Sequence, residues 1–176
     1  LQMSLPILTQ IRSAVWSALE ANTDLDELIE GRFHWDDSGA TLDPDMVPAL
    51  GDLPALSIYL TGASTPWLTN QQQMIAANLE VKLWTPELSL RLPEMLWQLF
   101  CRAVWDSDTG VRAQSSATFI VEDLIATAPA GFVRLPVTDE DGGSVATMTQ
   151  CQWNLTLHVR WNPRSDAALN GALTLE

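Results

Sequence analysis

The sequence predicts an α+β domain: a curved, mainly antiparallel sheet with two main helices packed on one face, a long C-terminal strand and a projecting hairpin. Three observations predict it. Apolar residues recur at helical spacing in two long stretches, one at the N-terminus and one around residues 92–103. Alternation with a period of two recurs over residues 56–60, 75–83 and 151–161, as strands with one buried and one wet face require. A run of strong turn formers, Thr138 to Gly143, separates the last strand pattern from the one before it, which is hairpin chemistry.

Taken in order, Ser4 can cap the first helix with Pro6 in its first turn. Ile7, Leu8, Ile11, Val15, Ala18 and Leu19 then share one face, while Thr9, Gln10, Arg12, Ser13, Ser17 and Glu20 fall elsewhere. Thr23 opens a short second helix whose carboxylates Asp24, Asp26 and Glu27 face the positive end of the dipole, and Gly31 stops it. Gly31 to Trp35 suits a strand and Asp36-Asp37-Ser38-Gly39 a turn. Thr41 to Pro54 carries three prolines and must thread as an extended loop. Leu56, Ile58 and Leu60 mark a second strand. Gly62 to Gln73 is expected to be a polar loop interrupted by Pro66-Trp67-Leu68, and Ile75 to Trp84 a third strand.

Thr85-Pro86-Glu87 offers a helix start, but Pro93 lies deep enough that the helix either kinks there or begins there. Leu92, Met95, Leu96, Leu99, Phe100 and Ala103 form its apolar stripe. Trp97, Cys101 and Trp105 form a second row about 100° around the helix, which something besides the sheet must cover. Thr118 to Ile125 reads as a strand or a short helix, and its β-branched residues favour the strand with Phe119 and Val121 inward. Phe132 to Val137 is a short strand that Pro136 assigns to an edge. The long strand, Val145 to Trp161, would run about 55 Å unbroken. Its first part, Val145 to Gln150, has no clean apolar side, so Cys151 to Trp161 is assigned to the core sheet and Val145 to Gln150 to a hairpin reaching past the domain. Residues 4–162 are thus expected to form one domain and residues 163–176 a C-terminal tail.

With 176 residues, 47% of them hydrophobic, the chain can bury a core without staples. A net charge of −13 argues against gripping nucleic acid or an anionic membrane, both of which need a basic surface. No apolar run approaches the roughly 18 residues that cross a bilayer. Cys101 and Cys151, in a helix and a strand, are expected to be buried free thiols.

Chemistry-bearing motifs are missing from the sequence. There is no glycine-rich phosphate loop, no Cys or His pair at zinc spacing, no nucleophile elbow and no DNA-binding signature, so no enzyme, cofactor or metal site is assigned. His34 and His158 read as surface residues. The acidic cluster Asp24, Asp26, Glu27 and Glu30 reads as a solvated helix start, and Asn154-Leu155-Thr156 as a chance sequon inside a strand.

One sequence order does carry a resemblance. A helix, Gly31-Arg32-Phe33, a proline-broken loop into Leu53-Pro54-Ala55-Leu56-Ser57-Ile58-Tyr59, then Asn78-Leu79-Glu80-Val81-Lys82-Leu83-Trp84 leading into a helix resembles the tail terminator (tail completion) proteins of long-tailed bacteriophages, over residues 5 to 161. The longer Thr41–Pro54 loop and the extra tryptophans depart from that pattern. The resemblance implies a structural virion protein assembled in the host cytoplasm. In that family an α/β domain forms a six-membered ring at the head-proximal end of the tail tube, stopping tube growth and offering the neck its attachment surface. Its partners would be further copies of the chain, the tail tube protein and a neck or head-completion protein, with DNA passing through without sequence-specific binding and no membrane involved. A head–tail adaptor and a small-molecule-binding α+β domain are the competing readings.

Eight tryptophans suit a protein rich in contacts. Trp67, Trp97 and Trp105 are expected between subunits, together with Val145, Thr147 and Thr149 of the hairpin. Asp139, Glu140 and Asp141 read as a solvated acidic hairpin tip by default, the functional alternative being a charged collar that faces a lumen or a partner.

Overall fold

A computed structural model describes residues 7–29, 33–34, 48, 50–68, 73–86, 89–115, 119–138 and 141–162. Helix α1 (Ile7–Glu20) buries Ile11, Ala14, Val15, Ala18 and Leu19, the face that the spacing predicts. In α2 (Thr23–Ile29), Leu25 and Ile29 are buried. α2 opens at Thr23 and is capped by Asn22, whose Oδ1 accepts the Leu25 N–H at 2.9 Å, satisfying one of the orphan donors of the first turn. Helix α3 (Arg91–Trp105) starts after Thr85-Pro86-Glu87, with Pro93 in its first turn, where a missing N–H costs nothing.

The strands are β1 (Phe33–His34), β2 (Ala55–Leu68), β3 (Gln73–Thr85), β4 (Phe119–Ala126), β5 (Ala130–Thr138) and β6 (Ser144–Trp161). Their order is β1-β2-β3-β6-β4, with β5 also on β6, and every pairing except β1 with β2 is antiparallel. Residues 118–125 were open between strand and helix by pattern; the described part is strand, with Phe119 and Val121 inward and buried.

The expected polar loop from Gly62 to Gln73 is corrected: β2 continues to Leu68. Register shifts between Leu60 and Gly62 and between Ser64 and Trp67 absorb the residues that break the alternation, so the strand carries on through a sequence without a regular period.

β6 is the common partner of three strands. β3 lies along one side from Thr149 to Trp161, while β5 and β4 lie end to end along the other. Cys151, Trp153, Leu155, Leu157 and Val159 are buried against α1 and α3, together with Leu79, Val81 and Leu83 of β3. Phe100 meets Trp153 edge to face, with ring centroids 5.2 Å apart and an interplanar angle of 71°, the arrangement aromatic quadrupoles favour. Each such fully buried side chain contributes about 1.5–3 kcal/mol of transfer free energy. Cys101 and Cys151 are buried and unpaired, and burial pushes both thiols up to about 11, leaving them neutral at ordinary pH.

The turn after α3 is tightly built. Asp106 accepts the N–H groups of Thr109 (2.9 Å) and Asp108 (2.8 Å), and these bonds hold its carboxyl below the usual range. Gly110 packs so closely there that an added Cβ would lie 2.3 Å from the Asp106 carbonyl oxygen, which excludes any side chain.

Candidate interaction surface

The feature that sets this sheet apart is the stretch where β6 outruns β3. The last β3–β6 pair is Thr85 with Thr149, so among the described residues Ser144 to Met148 has a strand partner, β5, on one side only. β5 and this end of β6 form an arm. Gly131 turns the chain into it at φ +64°, a left-handed conformation that glycine adopts without cost, and a register shift follows between Ala130 and Val133.

The base of the arm has a small core of its own, on the sheet face opposite the helices. Leu53, Ala55, Trp84 and Met148 are buried there, with Leu135 and Val137 packed against them. Met148 faces Leu135, and Trp84 is flanked by Ala55 and Gln150 in the register. The arm is therefore fixed at its base. At the inner end of β5, before the arm begins, Phe132 and Val133 are 44% and 47% exposed, and Val133 is registered with Gln150, which β3 pairs on its other side.

The six residues expected at subunit contacts are not brought together. Thr147 is half-buried on the arm opposite Pro136, and Val145 lies on the arm with its side chain outside the described residues. Thr149 is corrected as an accessible contact: it is 3% exposed, held between Thr85 and Arg134 in the register, because the core sheet begins there and not at Cys151. Trp67 sits at the other end of the sheet, opposite Met74, and its side chain too is outside the described residues. At the hairpin tip Asp141 is exposed, while Asp139 and Glu140 lie outside the described residues.

Trp97 and Trp105 have a role within the chain that spacing alone could not reveal. The Trp97 Nε1–H donates to the Thr127 carbonyl (3.1 Å) and the Trp105 Nε1–H to the Leu124 carbonyl (3.3 Å). Arg112 donates to the Glu122 carbonyl at 2.9 Å, and Ser115 Oγ accepts the Val121 N–H at 3.1 Å. The backbone of the edge strand β4 is thus closed by a row of side chains from α3 and the turn after it, which blocks a further strand from pairing there. The second row on α3 is covered by the edge of its own sheet: Cys101 is buried and Trp97 half-buried. Trp105 stays 50% exposed.

The wet face of the sheet holds paired charges. Arg160 meets Glu122 at 2.6 Å, His158 lies 3.9 Å from Asp123, and Lys82 lies 3.8 Å from Glu80, to which the Tyr59 hydroxyl donates. Pairs at a solvated sheet face contribute little each. Among the described residues no group of three or more His, Cys, Asp or Glu could hold a metal ion, and no helix is long and apolar enough to cross a membrane. The exposed pair Phe132–Val133 was passed over by the sequence reading. The only signal was Gly131 directly before an apolar pair in a strand already marked as an edge by Pro136.

No protein-family model matches the sequence, and no curated protein matches it either. Among solved structures, a chain from the virion of a native gene transfer agent particle shares the fold. Its TM-score is 0.54 with 11% sequence identity, and the match covers 84% of this chain and 92% of that chain. A likeness at that identity establishes a common architecture over nearly the whole of both chains.

Proposed function

We propose that this chain is a structural virion protein of a long-tailed phage or phage-like particle, a tail terminator. Copies of it form a ring, hexameric as in the family it resembles, at the head-proximal end of the tail tube, where the ring ends tube growth and receives the neck. The observation that carries this reading is the fold shared with a chain of a gene transfer agent virion across 84% of the present chain. The arm and the exposed apolar pair at the inner end of its strand β5 support it, because a two-stranded projection beside such a pair is suited to a head-to-tail contact, and such contacts make a ring where the rotation closes. In that ring Thr147, Val145 and the acidic tip Asp139 to Asp141 belong to the arm. Trp105, and Trp67 at the far end of the sheet, are the tryptophans offered to neighbours. The charge of −13 per chain, repeated around a ring, would let DNA pass without adhering.

The deciding experiment is deletion of the gene from its phage, followed by electron microscopy of the lysate. Tails of irregular and excessive length are expected. Normal-length tails that lack heads would overturn the terminator role in favour of a head–tail adaptor.

A further inference from the structure

Among the described residues, the large apolar side chains that stay exposed fall into two groups. Trp105, Ile120, Ile125, Phe132 and Val133 make up the first. β4 and β5 lie end to end on the same side of β6, and Trp105 donates to the β4 backbone, so all five stand along one edge of the sheet. Ile120 is registered with Arg160 and Val133 with Gln150, so the strip follows β6 over residues 150–160, about 33 Å. Because side chains already close the β4 backbone, a partner meets that part of the strip by packing and not by adding a strand.

The strip is short of acid on a chain of net charge −13. β4 and β5 carry two carboxylates, Glu122 and Asp123, and each faces a basic side chain of β6: Arg160 at 2.6 Å and His158 at 3.9 Å. Asp106, next to Trp105, is held by the Asp108 and Thr109 N–H groups. Arg134, next to Val133, is exposed and meets no carboxylate among the described residues.

The second group lies on the helical layer: Leu28 on α2, Met95 on α3 and Leu90 just before α3. Arg102 joins the two helices through Asp24 at 3.8 Å. Among the exposed charges of α2 and α3, Asp24, Glu27 and Glu94 outnumber Arg91 and Arg102, and Glu27 and Glu94 meet no cation among the described residues. Two copies of so acidic a chain repel each other, and contact is favoured where their surfaces differ in sign. One surface offers apolar side chains with an open cation, the other apolar side chains with open carboxylates. A contact between two different surfaces of one chain is head-to-tail, the kind a ring repeats.

We infer that the β4–β5 edge of one copy docks on the α2–α3 face of a second copy. The apolar strip meets Leu28, Leu90 and Met95 there, and Arg134 stands toward Glu27 and Glu94. This inference rests on the ring proposed above and names the two surfaces that form it. It fails separately from the terminator role, because it is read on the purified protein and that role on tail length.

Sedimentation velocity on the full-length chain tests it with two double variants, Ile120→Asp/Ile125→Asp on the edge and Leu28→Asp/Met95→Asp on the helices. Wild type should be oligomeric, and each variant alone should be monomeric with the circular dichroism spectrum of wild type. An equimolar mixture of the two should form dimers and nothing larger, because one intact edge and one intact helical face remain between them. Arg134→Glu, a change at an exposed side chain that leaves the fold alone, should weaken association at least about tenfold, and it decides the matter if a double variant misfolds. A wild type that stays monomeric, or variants that associate as wild type does, overturn the inference. A mixture that stays monomeric overturns the pairing of these two surfaces with each other.

Discussion

The two ends of β6 are one continuous strand built to opposite specifications. From Cys151 to Val159 it lies between two strands, its odd residues are buried under two helices, and its even residues meet solvent. From Ser144 to Met148 it has one strand beside it among the described residues, and its burial switches parity: Met148 is covered on the face away from the helices, while Thr147 is only half-buried. A strand can therefore serve as the spine of a core and as an external arm, provided a second small cluster holds the junction. The buried core and the projecting part thus occupy different ends of the same element, and substitutions can address them separately.

The largest effect is expected in the core half. Trp153 is fully buried and packs against Phe100, so Trp153→Ala removes the largest side chain of the spine and leaves a cavity that its neighbours cannot fill. A loss of about 3–5 kcal/mol follows, lowering Tm by roughly 6–20 °C for a chain of this size. A calorimetric melt within about 2 °C of wild type would show that the spine is not where the stability resides.

How far this division was legible in the sequence depends on which physical signal each half carries. Cys151 to Trp161 alternates without a fault, and alternation is the direct imprint of one buried face, so the strand, its inward residues and its place under the helices all follow from pattern. The irregularity of Val145 to Gln150 gave the arm its correct location but not its boundary. Thr149 and Met148 are buried on opposite faces, one in the main core and one in the second cluster, and no periodicity describes a strand that changes buried face within two residues. The extension of β2 through Gly62 and Pro66 was hidden for a similar reason, since bulges erase the period that identifies a strand. Trp97 and Trp105 were correctly seen as a separate row on α3. What covers that row depends on hydrogen bonds to carbonyls some 20–30 residues away in β4 and beyond, a relation of tertiary structure that helical spacing does not encode.

A smaller stability effect is expected at the junction. Met148→Ala empties part of the cluster formed with Leu53, Ala55 and Trp84, at the low end of the range for such truncations, about 2 kcal/mol. Because the lost contacts fix the base of the arm and leave the core half untouched, hydrogen exchange should rise along residues 130–137 and 144–148 and stay unchanged along residues 153–159. Uniformly faster exchange along all of β6 would mean that the two halves form one cooperative unit and that the comparison fails.

The smallest effect on stability, with the clearest effect on assembly, is expected at the exposed pair. Phe132→Lys combined with Val133→Lys removes two partly exposed apolar side chains from an edge strand that already carries Arg134 and Pro136, so the melt should shift by no more than about 0.5 kcal/mol. If the outer edge of β5 is the surface through which copies meet, the same two charges introduce unpaired, desolvated cations into every contact of the ring, a penalty repeated at each interface. Sedimentation velocity of the variant should then report monomer at concentrations where wild type is oligomeric. An oligomer of unchanged size and affinity would remove Phe132 and Val133 from the interface and leave the exposed face of Trp105, at the capped β4 edge, as the contact to test next.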